Sequence, residues 1–130
     1  MPGFNDTDLV RAYTSLAPAG VQENHIPQGQ ASVINFQAEA GQAIFAGGGA
    51  YRMLVVVRDL TDGTTITTFN HRGSFGDMNW PVQDVEHPFH LNPQGVAKQD
   101  HVYQAIAVMV VGVGREADVD FQESDLFIIT

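Results

Sequence analysis

Two stretches of the chain run apolar through their middles: Tyr51–Arg58 (Tyr-Arg-Met-Leu-Val-Val-Val-Arg) and Val102–Val113 (Val-Tyr-Gln-Ala-Ile-Ala-Val-Met-Val-Val-Gly-Val). A strand with one face in water alternates apolar and polar residues, because successive side chains point to opposite faces. Neither run alternates, and both are rich in β-branched residues. Both are therefore expected to be central strands, covered above and below and paired in the middle of one sheet.

The flanking pattern predicts shorter elements. Asn5, Asp6 and Thr7 are good helix-capping residues, and Leu9, Val10, Tyr13 and Leu16 follow at helical spacing before Pro18 and Gly20. This spacing predicts an amphipathic helix over Thr7–Leu16, read as closing one end of the core in preference to serving as a dimerisation arm. Val21–Gln30 reads as loop. Ala31–Ala38 alternates as a half-exposed strand, and Gln42–Ala46 reads as another short strand. Gly47-Gly48-Gly49 is followed by a strand and has no lysine nearby, so it reads as a turn and not as a phosphate loop. Asp62-Gly63 between Tyr51–Arg58 and Thr64–Phe69 is a hairpin signal. Asn70–Pro93 is the least regular stretch, with short strands expected at Val82–Val85 and Phe89–Leu91. Gln94–Asp100 and Gly114–Glu116 read as turns. Asp118–Phe121 and Leu126–Ile129 form the last strand or strand pair, kinked at Glu123–Asp125.

About seven to nine short strands with regular turn signals predict an all-β single domain over residues 1–130. The expected fold is a β-sandwich, immunoglobulin-like or jelly-roll, with one short N-terminal helix. The central pairing of the two long runs favours the immunoglobulin-like form. Ala50-Tyr51-Arg52 through Arg58-Asp59-Leu60 resembles a strand of the small fungal immunomodulatory proteins. That resemblance implies an N-terminal helix on an immunoglobulin-like sandwich, dimerising through the helix. It covers that one strand, and no family is assigned from it.

Composition narrows the functional classes. The 130 residues are 44% hydrophobic and 16% charged, which describes a globular chain. There is no cysteine, so disulfides, thiolate metal sites and a cysteine nucleophile are excluded. Fifteen acidic residues against six basic ones give a net charge of -9, which disfavours nucleic-acid backbones and anionic membranes as partners. No apolar run approaches the roughly 20 residues of a membrane span, and the N-terminal residues lack the pattern of a secretory signal. The compartment is not encoded; cytoplasmic is the default expectation.

Three groups of residues carry candidate chemistry. The loop residues Asn70, His71, Arg72, Asp77, Asn79 and Trp80 have the composition of a sugar-binding surface, with Trp80 as stacking platform. The competing reading places Trp80 in the core with its N–H satisfied by a loop carbonyl. His87 and His90, near Asp84 and Glu86, are the densest imidazole pair and would suit Zn or Cu, although Pro88 keeps His87 extended. Glu116, Asp118, Asp120, Glu123 and Asp125 offer oxygen ligands for Ca²⁺ without EF-hand spacing. Alternation would instead point Asp118 and Asp120 to solvent, where like charges protect a sheet edge.

No enzyme is indicated. Ser15, Ser32, Ser74 and Ser124 lie in no nucleophile-elbow pattern, and Gly73-Ser74-Phe75-Gly76 beside His71 is not a triad. Asp84/Glu86 has no spacing that singles it out for acid–base work. The leading expectation is a non-catalytic, self-associating interaction or structural protein of the assembly or decoration type, partnered by copies of itself or another protein. The apolar C-terminal Leu126–Thr130 supports it. The alternatives are a glycan-binding module using residues 70–80 and a small His-ligated metal protein or enzyme.

Overall fold

The computed structural model describes residues 7–16, 22–91, 97–112 and 118–130. Its strands are β1 (Thr7–Leu16), β2 (His25–Ile26), β3 (Ser32–Ala40), β4 (Ala50–Asp59), β5 (Thr64–Ser74), β6 (Asp84–Leu91), β7 (Val102–Val111), β8 (Asp118–Glu123) and β9 (Phe127–Ile129). The one helix among the described residues, α1, is Gln42–Ala46. A three-stranded sheet, β1-β3-β6, faces a six-stranded sheet ordered β2-β9-β7-β4-β5, with β8 also paired to β7. The expected all-β sandwich is the fold. The two long apolar runs pair antiparallel as β4 and β7 from Tyr51↔Val111 to Asp59↔Tyr103. Asp62-Gly63 turns the β4–β5 hairpin, with Gly63 at φ 72.

The core lies between the sheets. Met53, Val55 and Val57 of β4 and Tyr103, Ala105 and Met109 of β7 are fully buried against Ile34 and Phe36 of β3. At roughly 1.5–3 kcal/mol per large apolar side chain, burial here is the main favourable contribution to folding. β8 and β9 both lie along the same side of β7, and the expected kink separates them. There Ser124 N–H donates to Ala105 O at 2.8 Å, and Ala105 N–H donates to Ser124 Oγ at 2.9 Å.

Four expectations are overturned. Thr7–Leu16 is a strand. It pairs with β3 and carries a bulge between Leu9 and Arg11. The extra residue resets the two-residue alternation, so Leu9, Ala12 and Thr14 share the inward face while Tyr13 and Ser15 are buried on the other, and a bulged strand acquires helix-like spacing. Tertiary pairing outweighs the local helical pattern, and the N-terminal helix implied by the likeness to the fungal proteins is replaced by this strand. Gln42–Ala46 is a single helical turn instead of a strand, with Gly47 at its C-cap and Gly48 at φ 63. β4 and β7 are also not covered on both faces: inward side chains are buried, while Arg52 and Leu54 are exposed and Ile106, Val108 and Val110 are half-buried. Apolar residues occupy both faces of these strands, which erases the alternation without burying the second face. The irregular stretch shrinks as well: β5 continues to Ser74 and β6 begins at Asp84, leaving 75–83 as the connection. The caps Asn5 and Asp6, the breakers Pro18 and Gly20, residues 94–96 of the Gln94–Asp100 turn, the end of the Val102–Val113 run at Val113 and the Gly114–Glu116 reversal lie outside the described residues.

Candidate functional site

The residues singled out between positions 70 and 80 are divided by β5. Alternation sends Asn70 and Arg72 outward and His71 inward. Asp77 then folds the following loop over the end of the core. Its Oδ2 accepts from Ser74 N–H at 2.9 Å, and its Oδ1 accepts from Asn79 N–H at 2.9 Å and Trp80 N–H at 3.0 Å. Those bonds, the one from Ser74 foremost, hold the Asp77 carboxyl below the ordinary carboxylate range despite its partial desolvation. Asn79 is exposed and contributes its backbone only.

Trp80 is fully buried, and its Nε1–H donates to Gln83 O at 3.0 Å. It has no ring face to offer a sugar, so the platform reading of this loop is corrected to a core plug. Around it gather Tyr51 (ring centroids 4.9 Å apart), Phe75 (4.9 Å) and His87 (4.9 Å). Tyr51 OH lies 3.1 Å from His71 Nε2. Burial, followed by the Asp77 charge, pushes the Tyr51 hydroxyl up to about 12. His87 is buried, and its Nε2 has no hydrogen-bond partner. Burial, followed by nearby His71, lowers its pKa to about 4. This interior polar group was not visible as a unit in the sequence, because Tyr51 reads there only as a strand residue.

His87 and His90 do not share a ligand site. They are three positions apart on a strand, so His87 faces the core, paired with Phe36, and His90 faces outward, paired with Val33. The metal expectation at this pair is corrected by strand parity. Another trio comes closer: ligand atoms of Asp59, Asp62 and His101 all lie within 4.8 Å of one another. His101 Nδ1 is 2.7 Å from Asp59 Oδ2, Asp62 N–H donates to Asp59 Oδ1 at 3.0 Å, and Lys98 Nζ sits 2.9 Å from Asp62 Oδ2. Lys98 already supplies a cation, and the trio functions as a clasp joining the β4–β5 turn to the start of β7. Burial alone would raise the pKa of Asp59, but the backbone bonds from Asp62 and Thr61 and the bond to His101 outweigh it and hold it below the usual value. Asp59→Ala is expected to cost about 2–4 kcal/mol in urea unfolding, because it removes at once the buried carboxylate that the Asp62 and Thr61 backbone N–H groups and His101 share. A loss under about 1 kcal/mol would show the clasp to be ornamental.

The third expectation concerned the acidic group. Glu116 lies outside the described residues. Asp118 and Asp120 do not point to open solvent: in register with Val111 and Met109 they take the inward side of β8, and Leu9 N–H donates to Asp120 Oδ2 across the sandwich edge. The same parity turns Val119 and Phe121 outward, 62% and 52% exposed. The calcium reading loses its geometry with Asp120 engaged by β1. Glu123 bonds Gln104 Nε2 at 3.0 Å, and Asp125 bonds Gln22 Nε2 at 2.6 Å.

The outward face of the larger sheet is consequently apolar over three adjacent strands. Register sets Val119 beside Val110 and Arg52, and Phe121 beside Val108 and Leu54. Ile106 and Val56 continue the patch, and Leu54 is 43% exposed. Arg52 pairs with Arg72 of β5 at one end, and Arg58 lies at the other. A depression of about 220 Å³ is lined by Arg52, Leu54, Asn70, Val108 and Val110. Leu54, Val119 and Phe121 thus stand exposed in an apolar patch rimmed by arginines.

No protein-family model matches the chain, and no curated protein matches it. The fold itself has known counterparts. The sandwich is similar to the C-terminal domain of wzt, with a TM-score of 0.62 at 12% identity over 98% of this chain and 75% of that one. It is also similar to part of a glycosyl hydrolase family 2 member from Bacteroides cellulosilyticus, with a TM-score of 0.54 at 10% identity. That match takes in 92% of this chain and 14% of the hydrolase. At such identities the likeness establishes a shared β-sandwich architecture and nothing of activity. Among the described residues, no helix is long and apolar enough to cross a membrane.

Proposed function

We propose that this protein is a non-catalytic association module that binds further copies of itself through the outward face of the larger sheet. The observation that carries the reading is the patch of Leu54, Val56, Val108, Val110, Val119 and Phe121, built from alternate positions of three neighbouring strands. Burying apolar area at about 25 cal/mol per Å² drives association. Charge favours a second copy over a different partner. The chain carries -9 overall, yet Arg52, Arg58 and Arg72, three of its six basic residues, sit on this one face. A like molecule brings the acidic surface that these arginines complement.

Sedimentation velocity across micromolar to high micromolar concentration tests it. Wild type is expected to gain mass with concentration. Leu54→Glu with Phe121→Glu, both at exposed positions, should keep the circular dichroism of the folded chain and weaken association at least about tenfold. A wild type that stays monomeric throughout, or a double variant that associates undiminished, overturns the proposal.

A further inference from the structure

The two outer faces of the sandwich differ in charge. On the smaller sheet, the outward positions pair as Asp8↔Glu39 and Arg11↔Gln37 across β1–β3, and as Glu39↔Asp84 and Gln37↔Glu86 across β3–β6. Four carboxylates thus share one end of that face with a single arginine. Arg11 is itself engaged, donating to Gln22 Oε1 at 2.8 Å and lying 4.5 Å from the Tyr13 ring centroid. Glu86 accepts from Tyr13 OH at 2.9 Å and from Gln37 Nε2 at 3.2 Å, which fixes its position. A depression of about 250 Å³ opens here, bounded by Glu39, Asp84, Glu86 and Val10. Val10 is the residue that the β1 bulge expels from the ladder, and it stands 49% exposed.

We infer that the self-association is head to tail: the acidic end of the smaller sheet, with exposed Val10 beside it, docks on the Arg52/Arg72 end of the larger sheet of the next copy. The inference rests on the self-association reading and adds the second surface to it. Arg52 lines a depression together with Leu54, Asn70, Val108 and Val110, and Arg72 pairs with Arg52 beside it. Glu39, Asp84 and Glu86 flank a depression beside an exposed valine. The two surfaces are complementary in charge, a cation pair beside exposed Leu54 against a carboxylate cluster beside exposed Val10. A two-fold axis through either docking end would juxtapose like charges, Arg52/Arg72 on the same pair or carboxylates on carboxylates. Because the two surfaces lie on opposite sides of one molecule, joining them leaves a free copy of each. The contact therefore extends into a chain, or a ring if the rotation closes.

Neutralising one surface at a time tests this. Arg52→Gln/Arg72→Gln and Glu39→Gln/Asp84→Asn are each expected to be folded and monomeric where wild type associates. Their equimolar mixture should form a complex of two chains and no larger, since only one intact pair of surfaces remains. Wild-type association should weaken at least about tenfold between about 50 mM and about 500 mM NaCl, as screening predicts for exposed charges. If the Leu54/Phe121 variant dissociates the assembly but the Glu39/Asp84 variant does not, the head-to-tail arrangement is wrong while self-association through the larger sheet stands. A mixture in which no complex forms also overturns it. A wild type that never associates removes both.

Discussion

Gly73→Ala is expected to lower stability by about 2–4 kcal/mol, a fall of roughly 10 °C in the melting midpoint. A β-carbon at Gly73 would overlap Asp77 Oδ2 and lie 2.7 Å from Tyr51 OH. Neither neighbour can step aside cheaply. Asp77 is held by three backbone N–H groups, and Tyr51 is wedged against Trp80, Phe75 and His71. Relief of the contact must therefore open the 75–83 connection or tilt the tyrosine out of the core end. Gly63→Ala supplies the contrast. Gly63 has φ +72 with nothing within 4 Å of the added carbon, so it incurs only left-handed backbone strain of about 1 kcal/mol. Urea titration of both variants decides the matter. A Gly73→Ala chain as stable as wild type, or less damaged than Gly63→Ala, would show that Gly73 is not closely packed.

How far the sequence discloses this molecule depends on parity. Continuous apolar runs identify β4 and β7 as strands and as partners, because β-branched residues without helical period fit little else. The same runs do not say whether a second face is open, since leucine and valine stand there equally well beside a docked copy or beside solvent. In β8 the alternation Asp118, Val119, Asp120, Phe121 is plain, but which set turns inward is fixed only by pairing with β7. Aspartates are expected outside, and here a carboxylate instead accepts Leu9 N–H at the sandwich edge. The bulge in β1 does more damage, because one added residue converts strand spacing into apparent helix spacing. Asp77 and Trp80 were legible as special residues. That they close a core end together with Tyr51, His71 and His87 was not, as those residues come from three separate strands and a loop.

Between neutral pH and pH 4, stability is expected to fall by about 2–3 kcal/mol through His87 alone. In the folded chain its pKa is lowered to about 4 from the ordinary 6.5. Below 6.5 the unfolded chain therefore binds a proton that the folded chain refuses. More protons on the unfolded state means stability that rises with pH, complete above about 6.5 and gone below about 4. The groups facing His87 fix the sign: a positive charge on His71 opposes its protonation, Asp77 favours it weakly, and burial against Trp80 and Tyr51 opposes it most. Asp77 adds a separate loss at lower pH, because a carboxyl with a lowered folded pKa gives up its stabilisation only below the unfolded carboxylate range. His87→Phe isolates the imidazole. It removes an Nε2 that is buried without a partner, so stability at pH 7 should stay within about 1 kcal/mol of wild type. The slope between pH 4 and 6.5 should flatten while the lower carboxylate limb remains. Urea midpoints measured across that range check it, and a variant whose slope matches wild type would assign the acid sensitivity to another group.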